Sequence, residues 1–448
     1  MPSLRELLTL AWPIVISRSS QVVVGVADAV MVASLGEAAL AATTTGALNT
    51  FTLFILPMGI VFIVSSFASQ LTGAGDHAGA RRYGFYGLAV AALTQLVAVA
   101  AIPLIPMAIA QLDYSPEVRR LILDYLRLRL LSGGAAIGLE ALGNYYGGVG
   151  NTRLPAAANV LAMLLNVLGN WILIGGHLGA PALGVAGAAL ASTISTVLAF
   201  ALLLLCFLFG IGTPGGWIKV RLSVVELGRT LRFGIPSGLN WFLEMLAFSF
   251  FINVVFVGLG TTSLAAMMSV MQVNSVAFMP AFGVASAGAI LVGQAIGAGQ
   301  PDHVPKLVRL TLLVTCTWQG LVGLAYAAMP RLLLAPFTKP GVDAALFVAV
   351  GRRILLLAAA WQIFDAIANT IAEALRAAGD TAFTLWARVA VAWLVFVPGV
   401  LVTVRYFGGG DAAATAWVAA YIALLALILG LRFRSGAWRR IDLTGRGA

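Results

Sequence analysis

Long apolar segments recur from one end of the sequence to the other, and they restrict the possible folds more than any other feature. Residues 9–35 and 182–210 are two examples, each longer than the about 20 residues that a helix needs to cross a bilayer. Backbone N–H and C=O groups find no water in lipid, so only helices and closed barrels can span it. The segments lack the ten-residue alternation of barrel strands. The sequence therefore predicts an all-α membrane protein.

Composition and charge support this class of protein. The 448 residues are 60% hydrophobic and 10% charged, whereas soluble domains keep about 25% charged residues. The formal net charge of +10 does not indicate nucleic-acid binding, because the Lys and Arg residues lie in short connections between apolar segments. That distribution is typical of the positive-inside pattern. We expect an inner-membrane protein with both termini in the cytoplasm.

Gly, Pro and charged breaks divide the sequence into about twelve predicted spans. They lie near residues 7–34, 45–72, 83–111, 120–148, 154–176, 183–211, 232–258, 263–297, 306–330, 345–376, 382–404 and 412–432.

The two halves of the chain repeat one another. The segment Gln70-Leu-Thr-Gly73-Ala-Gly75 returns 224 positions later as Gln294-Ala-Ile-Gly297-Ala-Gly299. Six spans is an even number, so both copies have the same orientation, as in parallel-repeat transporters that bind substrate between their halves. We expect 12 transmembrane helices in two parallel six-helix bundles. The predicted domains are an N-terminal lobe, a cytoplasmic linker, a C-terminal lobe and a cytoplasmic tail, at residues 1–211, 212–231, 232–432 and 433–448.

Three acidic residues lie inside apolar spans, namely Asp28, Glu244 and Asp365. An ionisable group at mid-membrane costs at least about 2.5 kcal/mol on insertion scales, so each of them requires a reason. No Lys or Arg is adjacent to any of them in the sequence. A buried carboxylate can hold a proton, or attract Na⁺ or an organic cation. The alternative is a protonated acid that only joins helices by hydrogen bonds. Three such acids favour cation binding, and Glu244 and Asp365 are candidate ligands of Na⁺.

The fifth predicted span adds side-chain amides. Asn166 and Asn170 are four residues apart and therefore face the same way, and Thr193 in the sixth span could reach that face. Their oxygen atoms suit hard cations, although Asn and Thr often only bond between helices. If the fifth span packs beside the first, these residues and Asp28 form one cation pocket.

Polarizable side chains are frequent in the second half. Met and aromatic surfaces can accommodate flat organic cations, although they more often face lipid or core. With the three acids, the candidate substrate-binding residues are Trp241, Phe242, Met271, Asn274, Trp361 and Phe364.

Arg18 lies within the first span. Its apolar stem would allow the guanidinium to snorkel towards the cytoplasmic face, which we favour over pairing with an acid.

Three segments resemble the multidrug and toxic compound extrusion (MATE) family, in its NorM-like branch. They are Leu10-Ala-Trp-Pro13 with Gly25-Val-Ala-Asp28-Ala-Val-Met31, Gly148-Val-Gly-Asn-Thr-Arg-Leu-Pro155 with Asn166 and Gly184-Val-Ala-Gly-Ala-Ala-Leu-Ala191, and Glu373-Ala-Leu-Arg-Ala-Ala-Gly-Asp-Thr381.

The resemblance covers essentially the whole chain and implies a V-shaped pair of bundles with alternating openings. It implies that Asp28 couples to H⁺ or Na⁺, and that Glu244 and Asp365 match acids of the seventh and tenth helices. Trp361 stands where some Na⁺-coupled members have Tyr, which makes Na⁺ binding at Asp365 less secure.

We therefore expect a monomeric antiporter that exports cationic small molecules in exchange for H⁺ or Na⁺, with membrane lipid around it. We expect no cofactor, no nucleic-acid partner and no enzyme activity, because no catalytic constellation or nucleotide-binding motif occurs in the sequence. The alternative within transport is a lipid-linked oligosaccharide flippase, which would line its cavity with Arg and Lys. A regulatory or receptor module would not need three buried acids.

Overall fold

The computed structural model describes residues 3–338 and 344–445 and is built from helices, with no strand in those ranges. The first half contains α1 (Leu4–Ala33), α2 (Glu37–Val61), α3 (Ile63–Gly73), α4 (His77–Ala101), α5 (Ile105–Ala110), α6 (Pro116–Leu130), α7 (Gly133–Gly148), α8 (Arg153–Gly175) and α9 (Val185–Phe209).

The second half contains α10 (Val224–Phe250), α11 (Thr261–Gly297), α12 (Val304–Ala328), α13 (Pro330–Leu334), α14 (Ala344–Ala378), α15 (Thr381–Val389), α16 (Val397–Arg405) and α17 (Asp411–Arg434). Two π-helical segments interrupt this half, Phe251–Phe256 after α10 and Ala390–Phe396 after α15. A short 3₁₀ helix, Ala437–Arg440, follows α17. The last three residues of the predicted tail, 446–448, lie outside the described residues.

Eleven helices of the described chain are long and apolar enough to cross a membrane, and they correspond to eleven of the twelve predicted spans. The span predicted at 120–148 is not among them. The structure divides that region into α6 and α7, with a break at Leu131 and Ser132. Neither piece is long enough to cross a bilayer alone, since α6 has 15 residues and α7 has 16. Helix α6 is also highly charged, with Glu117, Arg119, Arg120, Asp124, Arg127 and Arg129.

The chain forms two compact units, each with its own internal contacts. The N-terminal unit is Trp12–Gly238, and the C-terminal unit is Leu239–Ala448 together with Met1–Ala11. The divisions fall inside helices α1 and α10. Residues 212–231, predicted as a linker, therefore belong with the N-terminal unit.

The repeated glycines adopt the same backbone conformation in both halves. Gly36 precedes α2 with φ 109° and ψ 173°, and Gly260 precedes α11 with φ 99° and ψ 163°. Only glycine occupies this region readily, because a Cβ atom would clash with the backbone. The same pair of turns thus begins the second long helix of each half.

An ion pair joins α1 to α7 within the N-terminal unit. The Arg18 Nη2 atom donates to Glu140 Oε1 at 2.5 Å, and Nη1 donates to Oε2 at 3.1 Å. The interpretation of Arg18 as a snorkelling residue is therefore wrong. A guanidinium fork matches a carboxylate in two parallel hydrogen bonds, and both side chains are largely buried. Glu140 is not among the three acids that the sequence predicted as functional.

The first part of α10 packs closely against α2. A Cβ atom on Gly238 would lie 2.5 Å from the Leu56 carbonyl oxygen and 2.8 Å from Ile60 Cγ1. Helix backbones in membranes approach this closely only where small residues face each other. Gly238 therefore fixes the position of α10 in the N-terminal unit.

Replacing Gly238 by alanine tests this close contact. We expect Gly238→Ala to lower the apparent melting temperature of the purified protein in detergent, because overpacking costs about 1–3 kcal/mol. Gly228→Ala is the matched control in the same helix, since nothing lies within 4 Å of its added Cβ. The control should leave the melting temperature unchanged or raise it, because alanine favours helix over glycine. Equal melting temperatures for the two variants would contradict the close packing of α10 on α2.

Candidate functional site

Asp28 lies in the second half of α1 and is 8% exposed. Its Oδ1 atom accepts a hydrogen bond from Asn170 Nδ2 at 2.5 Å, and its Oδ2 atom accepts one from Ser192 Oγ at 3.2 Å. Helices α8 and α9 supply these donors. The carboxylate is therefore held between three helices with hydrogen bonds to each of its oxygens.

The two predicted amides complete this arrangement. Asn166 and Asn170 are one turn apart on α8 and fully buried. Asn166 Nδ2 donates to Ser192 Oγ at 2.9 Å, and Asn170 Nδ2 lies 3.3 Å from Asn166 Oδ1. Asn170 Oδ1 is buried and has no hydrogen-bond partner within residues 3–338 or 344–445. We name Asp28, Asn166, Asn170 and Ser192 the Asp28 cluster; it holds an amide oxygen free for a cation or a water molecule.

Thr193 is not brought to the Asp28 cluster. Its hydroxyl donates to the Leu128 carbonyl oxygen at 3.0 Å, which joins α9 to α6. Ser192, one residue earlier, takes the expected place. The spacing of small buried residues along α9 could have indicated this, because Ala188, Ser192 and Ser195 recur on one helical face.

Asp28 and Ser192 of the Asp28 cluster line a cavity of about 300 Å³ within the N-terminal unit. We name it the N cavity. Its charged lining consists of Asp28, Arg129 and Glu140, of which Glu140 is already paired with Arg18. Polar and aromatic side chains complete the wall, including Ser20, Gln21, Thr50, Phe51, Phe54, Tyr125, Asn159, Ser195 and Thr196.

A second cavity, of about 240 Å³, lies within the C-terminal unit, and we name it the C cavity. Glu244 and Asp365 both line it. Glu244 is not unpaired as the sequence suggested, because the buried Arg388 guanidinium donates to Glu244 Oε1. Arg388 comes from α15 and is distant from Glu244 in sequence, so inspecting neighbours along the chain could not reveal the pair.

Asp365 differs from Glu244 in its partner. Its Oδ1 atom accepts a hydrogen bond from Asn369 Nδ2 at 2.8 Å, one turn later on α14. No ion pair of Asp365 is found within the described chain, at residues 3–338 and 344–445. Asp365 is therefore the carboxylate of the C cavity that a neutral amide stabilises.

Three further predicted residues line the C cavity. Met271 and Asn274 come from α11, and Trp361 comes from α14 one turn before Asp365. Asn274 Oδ1 accepts from Gln362 Nε2 at 2.7 Å and from the Tyr326 hydroxyl at 3.4 Å. These bonds fix the Asn274 carbonyl oxygen between α11, α12 and α14.

The other predicted aromatic residues do not line the C cavity. Phe364 is 41% exposed, and Trp241 packs edge-on against Phe282 with ring centroids 5.9 Å apart. Phe242 is also absent from the wall. The aromatic lining comes instead from Phe248, Phe278, Trp361, Phe396 and Tyr421.

The π-helical segment Ala390–Phe396 forms part of the C cavity wall. Ala392 and Phe396 from this segment line the cavity, and Arg388 lies two residues before the segment begins. Wider π turns occur frequently at functional sites, because they shift side chains relative to a regular helix. No feature of the sequence indicated this segment.

The geometry narrows the choice of cation ligands. Within the described ranges, no group of three or more His, Cys, Asp or Glu side chains could hold a metal ion. Arg388 already neutralises Glu244, so a Na⁺ ion there would have to displace a guanidinium. Oxygen atoms better placed for a cation are those of Asp365 on the wall of the C cavity and of Asp28 on the wall of the N cavity. Asn170 is bonded to Asp28 but does not itself line the N cavity.

Comparison with known proteins places this geometry in a family. The sequence model of the MatE family matches residues 13–172 and 236–401, once in each half of the chain. A probable multidrug resistance protein NorM from Thermotoga maritima is 26% identical, with 98% of this chain and 94% of that protein covered. A probable multidrug resistance protein NorM from Bradyrhizobium diazoefficiens is 29% identical, with 97% and 94% covered.

Solved structures share the fold. An outward-facing multidrug resistance MATE family transporter of the MOP superfamily superimposes with a TM-score of 0.86 at 19% identity, and covers 97% of this chain and 96% of that chain. The eukaryotic MATE transporter AtDTX14 gives a TM-score of 0.84 at 19% identity, with the same shares covered. The helical fold, the eleven candidate spans and the doubled match to the family model together show that this chain is a multi-pass membrane protein of the MATE family of multidrug efflux transporters, and so a transporter and not an enzyme.

Proposed function

We propose that this chain is a secondary active antiporter that exports organic cations in exchange for H⁺ or Na⁺. The observation that carries the proposal is a carboxylate on the wall of each cavity, the buried Asp28 and the partly buried Asp365. The hydrogen-bond partners of both are neutral amides or hydroxyls. Such a carboxylate gains most from a mobile cation, because lipid and apolar side chains solvate its charge poorly. Neither cofactor nor nucleotide is needed, since the ion gradient supplies the energy.

The Asp28 cluster is the proposed site of the coupling ion. Asn170 and Ser192 hold both oxygens of the Asp28 carboxylate, and the free Asn170 Oδ1 atom can turn towards a bound ion. If H⁺ or Na⁺ bound to the Asp28 carboxylate, it would replace hydrogen bonds that Asn170 and Ser192 donate. The contacts of α1 with α8 and α9 would then change. A helix whose contacts depend on the ion can couple ion binding to a change of conformation.

The C cavity is the proposed site of the organic cation. Phe278, Trp361 and Tyr421 provide aromatic walls, and Met271 provides an adaptable apolar surface. Rings attract a cation through their faces by about 0.5–2 kcal/mol each, and Asp365 supplies the opposite charge. The pocket thus suits a flat, apolar molecule with a positive charge.

The proposed transport cycle is alternating access in an inner membrane by a monomer surrounded by lipid, with both termini in the cytoplasm. The α6–α7 region would form the twelfth span and complete two six-helix bundles, the charges of α6 lying towards a membrane surface. Export requires that the coupling ion and the organic cation stabilise opposite openings.

A flippase for lipid-linked oligosaccharides is less compatible with this geometry. Recognition of a pyrophosphate needs several Arg or Lys side chains. The charged lining of each cavity contains two acids and one arginine, and Arg388 in the C cavity is already paired with Glu244. Neither cavity would attract an anion.

The role of Asp28 can be tested by transport in proteoliposomes. We expect Asp28→Asn to abolish uptake of ethidium driven by an imposed Na⁺ or H⁺ gradient, because the amide cannot exchange an ion. Glu37→Gln is the control, since Glu37 is an exposed residue of α2. Ethidium fluorescence over DNA trapped in the vesicles reports the rate. A wild-type rate in Asp28→Asn, with correct insertion, would reduce Asp28 to a structural contact between helices.

The role of Asp365 can be tested by binding. Asp365→Asn should raise the Kd for ethidium at least about tenfold, because it removes the carboxylate that faces the cation, and tenfold corresponds to about 1.4 kcal/mol. Asp302→Asn is the control, because Asp302 is highly exposed and makes only a surface ion pair with Arg439. Fluorescence polarisation of ethidium with the purified protein measures both. Equal affinities for wild type and Asp365→Asn would exclude the C cavity as the cation site.

A further inference from the structure

The two cavities occupy equivalent places in the repeated halves. Thr50 in the N cavity and Asn274 in the C cavity are 224 positions apart, as are Phe54 and Phe278. This is the offset of the repeated Gln70 and Gln294 segments. Each half therefore builds its cavity on the same helical framework.

The charges, in contrast, stand at different positions of that framework. Glu244 corresponds to Ser20, which also lines its own cavity and carries no charge. Gly150 and Gly379 mark the second part of the repeat, 229 positions apart. At that offset Arg388 corresponds to Asn159, another neutral wall residue. The repeated framework thus accommodates neutral residues, Ser20 and Asn159, at the positions where the C cavity has Glu244 and Arg388.

A purely structural role explains this ion pair poorly. Burying a charge such as the Arg388 guanidinium carries a large desolvation cost, and neutral residues in place of an ion pair often stabilise a protein equally well. The Glu244 side chain remains 35% exposed. Ser20 and Asn159 are smaller, neutral residues at the corresponding places in the other half. The pair also lies on the cavity wall and not in the apolar core.

We propose that Arg388 is a specificity-determining residue. Its guanidinium is part of the protein and pairs with the Glu244 carboxylate, so that this carboxylate is not free to bind a substrate cation. With Arg388 in place, the described wall of the C cavity carries two acids and one base, so one negative charge remains, on Asp365. That single charge selects flat monocations and disfavours dications, whose second charge would meet the guanidinium. The inference rests on the proposed function, because it assigns the substrate class of the same site.

The closing experiment compares two dyes that share a phenanthridinium ring, the monocation ethidium and the dication propidium. Fluorescence polarisation with purified protein in detergent measures their dissociation constants. Wild type should prefer ethidium. Arg388→Gln should shift the ratio of the two constants at least tenfold towards propidium, because two uncompensated acids then face the cavity. The double variant Glu244→Gln/Arg388→Gln restores a single charge and should recover the wild-type ratio.

A second comparison decides the matter even if Arg388→Gln does not fold. Glu244→Gln leaves the guanidinium without its carboxylate, so binding of both dyes should weaken at least tenfold. Adding Arg388→Gln to that variant should recover ethidium binding. Failure of this recovery, or a dye ratio that does not change in Arg388→Gln, would overturn the role of Arg388 while ethidium binding by wild type still supports the proposed function. A wild-type protein that binds neither dye would overturn both.

Discussion

Carboxylates that are withdrawn from water inside a membrane impose the main energetic constraint on this structure. Such a group needs hydrogen bonds, a fixed opposite charge or a mobile cation, because apolar surroundings give it almost no solvation. Glu140 and Glu244 receive a fixed guanidinium, from Arg18 and Arg388. Asp28 receives neutral donors from two neighbouring helices. In our proposal, a fixed guanidinium withholds Glu140 and Glu244 from a transported cation, whereas Asp28 and Asp365 stay available to one.

The internal repeat provides the common helical framework in which these acids lie. Each half folds with the same glycine turns and places a cavity at the same point of its framework, yet the charged residues are not at matching positions. Divergence of this kind allows the two halves to serve different ligands. In our account the N cavity, with its hydroxyl and amide oxygens, serves the small ion. The C cavity, with its aromatic wall and π-helical segment, serves the larger organic cation.

Much of the fold followed from the sequence because membrane helices are encoded locally. Apolar length and charged breaks located eleven spans to within eight residues at either end. Only the region of α6 and α7 departed from the pattern. The buried acids were also visible, because an acid in an apolar run is conspicuous. The sequence also indicated Asn170 as a neighbour of Asp28, which it contacts in the structure. The partner of Glu244 was not visible, since Arg388 lies 144 positions away in the sequence. The choice of Ser192 over Thr193 depends on helix rotation, which a difference of one residue changes by about 100°.

In the proposed mechanism, an inorganic cation and an organic cation compete through the carboxylates of the two cavities. The most direct test is the Kd of ethidium for the purified wild-type protein, measured by fluorescence polarisation across a series of Na⁺ concentrations and of pH values. By reciprocity, an ion that is exchanged for the drug must weaken its binding, and the drug must weaken binding of the ion equally. The account predicts that the Kd rises by at least about tenfold with either Na⁺ or H⁺, at constant ionic strength. A Kd that stays constant across both series would contradict exchange through these carboxylates.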